Sequence, residues 1–179
     1  PLVIGNSVLP PLISELYARD DITRMERMLR GSASITTFCS LLIFLPLLVL
    51  GDWLPGVIFG DYFVGNWDIM MVLALGWLFH VWAGSGGFVL NMTDNQKSLM
   101  KINIVVGLFT IAAGFFLTYH YGGLGIAVAS SSGLVVINAL MLYKIRRKLG
   151  MRIYAGFSGL QDVTTELARR LRAQGGVEQ

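Results

Sequence analysis

Charge is what this sequence has least of. Asp, Glu, Lys and Arg make up 14% of the 179 residues, against roughly 25% in an ordinary soluble domain. The deficit excludes the usual solvated surface and points to a bilayer. Cysteine is nearly absent: Cys39 is the single one, so neither an internal disulfide nor a thiolate metal site can form, and packing within a span is its expected role. Histidine is scarce too, and neither His80 nor His120 has a carboxylate and a nucleophile at motif spacing. HExxH, CxxC, GxSxG and P-loop patterns are missing. The chain is therefore read as a non-enzyme without cofactor or metal.

What is present is apolar, at 54% of residues, and it is gathered into blocks. Ser32 to Leu50, Ile69 to Leu90, Ile102 to Tyr119 and Gly123 to Tyr143 carry no Lys, Arg, Asp or Glu. Each runs about 18 to 22 residues, the length that crosses ~30 Å of hydrocarbon at 1.5 Å per residue. Pro1 to Tyr17 is a shorter fifth block. It begins with Pro and lacks the basic flank and cleavage site of a signal peptide, so a helix already in progress, and hence a piece of a longer protein, is expected.

The 14 Lys and Arg residues are confined to alternate connections and the tail. Arg19, Arg24, Arg27 and Arg30 follow the first block, Lys97 and Lys101 the third, and Lys144, Arg146, Arg147, Lys148 and Arg152 the fifth, with Arg169, Arg170 and Arg172 beyond. The connections Gly51 to Asp68 and Tyr119 to Gly122 have none. Five spans obeying the positive-inside rule give this alternation, with the basic loops and the C-terminus in the cytoplasm of a bacterial-type inner membrane. Trp53, Phe59, Tyr62, Phe63 and Trp67 then mark the outer headgroup boundary. The net charge of +3 is accounted for by orientation and anionic lipid, and no nucleic-acid partner is implied. Asn91-Met92-Thr93 matches a glycosylation sequon on the wrong side for glycan transfer.

Within Tyr17 to Gly31, Ile22, Met25, Met28 and Leu29 share a helical face, and Thr23 and Glu26 have capping-box spacing. A short helix on the cytoplasmic surface is expected. In the tail, residues 156–179, Leu160, Val163, Leu167 and Leu171 form another stripe with Glu166 four residues before Arg170. That pattern suits an amphipathic helix resting on headgroups or binding a partner.

Polar residues within spans are the candidate substrate or coupling-ion positions: Asp68, His80, Asn103 and Asn138. Asp68 stands near an interface, where solvation explains it equally; His80, between Trp77 and Trp82, is either a hydrogen-bonded structural residue or a substrate or proton group. Gly84, Gly86 and Gly87 lie in a run of small residues that serves close packing or a hinge. Pro10, Pro11 and Pro46 are further points where helix hydrogen bonds are lost. The stretch HYGGLGIAVASSSG, from His120 to Gly133, has a glycine loop but not the dinucleotide fingerprint, which needs a preceding strand and Gly or Ala where Val128 stands. Tyr121 to Gly123 instead make a turn, Gly125, Ala129 and Gly133 make a small-residue packing face, and Ser130 to Ser132 return hydroxyl bonds to carbonyls a turn earlier.

The order PLISELYARDD, VIFGDYF, LNMTDNQKSLMK, HYGGLGIAVASSSG and KIRRKLG resembles the C-terminal half of the polysaccharide transport family of flippases, in the superfamily of the MATE exporters and the lipid II flippase. Pro11 to Asp21, Phe59 to Phe63, Asn91 to Lys101 and Tyr121 to Ala127 carry the likeness, over roughly residues 1–155. The resemblance implies an all-α membrane protein in which this chain forms most of one lobe of a two-lobed bundle. It implies movement of lipid-linked oligosaccharide between leaflets by alternating access, with a missing N-terminal lobe, and glycosyltransferases or a polymerase, as partners. Arg19, Arg24, Arg27 and Arg30 would then line the cytoplasmic mouth. Other readings are a MATE-like cation-coupled exporter and a non-transporting scaffold of polysaccharide assembly.

Overall fold

A computed structural model describes residues 2–51, 53, 56–57, 60, 65–151 and 153–155 of the chain. The regular elements among them are all helical: α1 (Leu2–Ala18), α2 (Ile22–Leu50), α3 (Trp67–Ala83), α4 (Gly86–Met92), α5 (Gln96–Tyr121) and α6 (Gly123–Leu149). Phe59, Tyr62, Phe63, Arg152 and the expected tail helix lie outside the described residues.

Three helices, α2, α5 and α6, are long and apolar enough to cross a membrane, and the bent pair α3–α4 raises the number to four. The first expected span is helical as α1, but its 17 residues reach about 26 Å, short of the ~30 Å hydrocarbon core. Neither Pro10 and Pro11 in α1 nor Pro46 in α2 interrupts its helix. The interruption falls at Gly84 and Ser85, where the expected third span bends by 44°. Gly84 has φ of 77° and ends α3, a left-handed conformation that glycine adopts without Cβ strain.

The short surface helix expected between Tyr17 and Gly31 is instead the start of α2. Asp21, not Thr23, is the cap: its carboxylate accepts from the Arg24 N–H at 3.1 Å and from the Thr23 hydroxyl at 3.2 Å. Because the cap lies two residues earlier than the capping-box reading placed it, and no breaker intervenes at Gly31, the helix runs unbroken to Leu50. The hydroxyls of Ser34, Thr36 and Thr37 donate to carbonyls four residues back, at 2.7–2.8 Å, which lowers their cost inside an apolar span.

Helix directions follow from which residues meet. Gly123 lies at Ile69, Gly76 at Ser131 and His80 at Asn138, so α3 and α6 run parallel. Gly125 lies at Leu117 and Gly133 at Thr110, so α5 runs antiparallel to α6 as a hairpin turned at Gly122, with φ of 58°. Gly84 lies at Ala33 and Gly51 at Trp67, so α2 opposes α3. The core sits where the basic ends converge. Ile13 and Leu16 of α1, Met25 and Leu29 of α2, Val89 and Leu90 of α4, and Met141 and Ile145 of α6 form one buried cluster with Met151 and Ile153. The apolar face expected in the Tyr17–Gly31 stretch thus packs on protein rather than on headgroups. Away from that end the surface is apolar: Ile43 on α2 and Phe109 and Phe115 on α5 are more than 70% exposed. Such a face in water would form a patch far larger than monomers carry; in a bilayer it meets hydrocarbon or another helix.

Candidate functional site

Two of the polar residues singled out within spans meet. Asn138, on α6, is 3% exposed, and its Oδ1 lies 3.1 Å from Nδ1 of His80 on α3. Its Nδ2 donates to the Leu134 carbonyl at 2.7 Å, so both ends of a buried amide are satisfied, as an apolar interior demands. The Trp77 and His80 rings stand edge to face with centroids 5.4 Å apart. The approach of α3 to α6 that allows this is set one and two turns away. A Cβ built on Gly76 would stand 2.8 Å from the Ser131 side chain, and the Ser131 hydroxyl donates across to the Val72 carbonyl at 2.8 Å. Ser131 was expected to bond within its own helix; glycine at 76 brings the neighbouring backbone close enough to accept its hydrogen bond instead. Ser132 does bond within α6, to Ala129.

The other two polar candidates are placed apart. Asp68 is exposed in the first turn of α3, and Asn103 is exposed on α5. His120 stands exposed near the end of α5 among Phe116, Tyr119 and Tyr121.

Three residues past His80 the helix stops. Its end is covered by the chain that follows α6: after Gly150, with φ of 69°, Met151 and Ile153 enter the core at 1% exposure each. The Ala155 N–H then donates to the Trp82 carbonyl at 2.9 Å, and Tyr154 stacks on Trp82 with ring centroids 5.4 Å apart. A carbonyl freed by the break is thereby satisfied. Gly86 packs on Met141, Ile145 and Ile153, and a Cβ built on Gly84 would be 3.1 Å from Ala33 and from the Ile153 carbonyl; Gly87 meets nothing within 4 Å. The small-residue run thus marks both a bend and a close contact.

Of the expected mouth arginines, Arg19 pairs with Glu15 and Arg30 with Glu26, each one helical turn back, while Arg24 and Arg27 are exposed. A polar cluster not singled out from the sequence lies at the same end. Lys148 Nζ donates to Asn95 Oδ1 at 2.8 Å, Asn95 Nδ2 donates to the Thr93 carbonyl at 2.6 Å, and the Thr93 hydroxyl donates to the Val89 carbonyl at 2.7 Å. Thr93 and Asn95 are buried and flank Asp94, whose φ is 56°. Only the excess of polar residues between two apolar blocks could have flagged it, since Asn95 and Lys148 are 53 residues apart.

The small-residue face of α6 is present as expected. Gly125, Ala129 and Gly133 are all buried. A Cβ on Gly125 would overlap the Leu117 backbone, and one on Gly133 would overlap the Thr110 side chain. Among the described residues no group of three His, Cys, Asp or Glu side chains could hold a metal, and no buried side-chain polar atom lacks a hydrogen-bond partner.

Comparison with protein-family models, curated proteins and solved structures finds no match to this chain. The class rests on the fold itself: three helices long and apolar enough to cross a membrane, or four with the bent pair as one span, are those of a helical membrane protein.

Proposed function

We propose that the chain is part of a transporter that moves lipid-linked oligosaccharide across a bacterial-type cytoplasmic membrane by alternating access, with the basic helix ends and the C-terminus in the cytoplasm. One observation carries the reading: a broken span with a hydrogen-bonded polar pair, His80 and Asn138, beside the break. Transporters build sites at discontinuous helices, where unwound backbone and half-helix ends meet substrate or ion. Polar side chains within spans are expensive in lipid and are characteristic of transport pathways. The order of motifs resembling polysaccharide flippases supplies the substrate class. Arg24 and Arg27, exposed at the basic end, suit a pyrophosphate headgroup at the cytoplasmic mouth, and a second lobe completes the cavity. The uncovered apolar faces of α2 and α5 are where that lobe or lipid would lie.

A MATE-like exporter calls for a carboxylate held within the membrane, and Asp68 and Glu15 are both exposed. The flippase reading is the stronger for it. The test is deletion of the gene followed by analysis of lipid-linked oligosaccharide. Accumulation on the inner leaflet, reversed by the wild-type gene, is the expected result. Unchanged lipid-linked oligosaccharide together with lost drug resistance would replace the reading by the exporter.

A further inference from the structure

The short run after α6 touches the broken span on both sides of its break. Gly150, with φ of 69°, turns the chain back, and Met151 and residues 153–155 then lie across the bend between α3 and α4. On the α4 side the strap is sunk in the core. Met151 and Ile153, each 1% exposed, share one buried cluster with Val89 and Leu90 of α4, and a Cβ built on Gly86 would stand 3.6 Å from Ile153 Cδ1. On the α3 side the attachment is lighter. The Ala155 N–H donates to the Trp82 carbonyl at 2.9 Å, and the Tyr154 and Trp82 rings stack with their planes 29° apart. Trp82 is 37% exposed, and among the described residues the buried cluster takes no member from α3.

The two attachments differ in what it takes to undo them. Parting the strap from α4 would uncover two apolar side chains that are fully buried, a cost that grows with their area. Parting it from α3 gives up one hydrogen bond, which water can replace at the basic end of the bundle, and one partly exposed ring stack. The α3 side is therefore the one that yields. We propose that Met151 and residues 153–155 are a latch on the broken span. In the transport cycle Tyr154 and Ala155 part from Trp82 while Met151 and Ile153 stay in the core, and the last turn of α3 swings about Gly84. The proposal rests on the transporter reading given above.

The pivot is fixed by geometry. Gly84 has φ of 77° and ψ of −162°, a region of backbone space that is open essentially to glycine alone, and it rests against Ala33 of α2. Higher up, α3 is held to α6 by the Ser131 hydroxyl on the Val72 carbonyl and by the His80–Asn138 pair. Beyond His80 only residues 81–83 remain before the break, and the strap is what meets their end. The α4 side stays in place for a further reason: Lys148 of α6 donates to Asn95, just past α4. That bond ties the inner end of α6, from which the strap departs, to the end of α4. A latch that opens at Trp82 thus uncovers the inner end of the bundle next to the polar pair, without taking the core apart.

The experiment measures thiol reactivity in the full-length protein in nanodiscs, in a Cys39→Ser background. Ala83→Cys reports the latched end and Val89→Cys the core, at positions 1% and 0% exposed. Both should react slowly with a maleimide while the strap is intact. Tyr154→Ala, which removes the stack, and Ala155→Pro, which removes the N–H, should each speed reaction at position 83 severalfold and leave position 89 unchanged. An unchanged rate at 83 means that the strap does not hold this end, and an equal rise at both positions means that it is core packing only; either overturns the proposal. A second arm joins Trp82→Cys to Tyr154→Cys with a short thiol cross-linker that reductant cleaves. In proteoliposomes the cross-linked protein should lose transport of lipid-linked oligosaccharide, and reductant should restore it. Failure to cross-link, or transport that persists once cross-linked, overturns the latch. Wild-type vesicles that move no lipid-linked oligosaccharide overturn the transporter reading instead, a failure that the labelling rates separate from failure of the latch.

Discussion

A polar side chain inside an apolar bundle keeps its place when its donors and acceptors are met, and at Asn138 both ends of the amide are. Asn103 has the same chemistry but lies exposed on α5. Removing the first should therefore cost more than removing the second. Asn138→Ala is expected to lower resistance to denaturant in detergent by about 0.6–2 kcal/mol, the range for interhelical hydrogen bonds in membranes, while Asn103→Ala changes it little. Equal effects would mean that the tie between α3 and α6 carries no stability. His80 and Asn138 were each legible in the sequence as polar groups at depth. Their pairing was not, because 58 residues separate them and hydrophobic periodicity does not give the register of one helix against another. Of Gly76 and Ser131, which set that register, the first was not singled out in the sequence and the second read as bonding within its own helix, whereas it donates across to Val72.

At the scale of elements, the glycines separate into those that hold helices together and those that do not. Gly125 faces the Leu117 backbone, which cannot rotate aside, whereas Gly107 meets nothing within 4 Å. Gly125→Ala should destabilise the α5–α6 hairpin by roughly 1–3 kcal/mol, as overpacking does. Gly107→Ala should be neutral or slightly stabilising, since alanine is the better helix former. Thermal unfolding in detergent compares them, and a tolerated Gly125→Ala would remove the packing face from the account. That face was legible because its spacing is local, at residues 125, 129 and 133. The α2 start was misread because the same local pattern, an apolar stripe with a capping box, fits a surface helix and the buried first turns of a span equally well. What decides between them is the burial of Met25 and Leu29 in one cluster with Ile13, Leu16 and Ile145, which the local pattern does not show. Met151 and residues 153–155, which cover the broken end of α3, left no periodic signal at all.

At the scale of the whole molecule, the alternation of basic and cation-free connections anticipated the helix directions that the contacts give. α3 and α6 run parallel, α2 and α5 oppose them, and the basic ends share one core. Long apolar blocks were legible because bilayer thickness dictates their length, while the first block, with 17 helical residues, sits at the margin where length alone does not decide. Placing the basic ends in the cytoplasm makes a prediction for the cation-free side. In a Cys39→Ser background, a cysteine at Gly56 should react with an impermeant thiol reagent added to intact cells. Reaction only after the cytoplasm is opened would invert the topology.

The central claim, that a broken span with its polar pair belongs to a flippase, is tested most directly by reconstituting the full-length protein in vesicles that carry a fluorescent lipid-linked oligosaccharide. An impermeant quencher added outside reads how much remains on the inner leaflet. The account predicts that the protected fraction falls with wild-type protein faster than in protein-free vesicles, and that a protein carrying both His80→Ala and Asn138→Ala loses that increment. A protected fraction that decays at the protein-free rate with wild-type protein would contradict it.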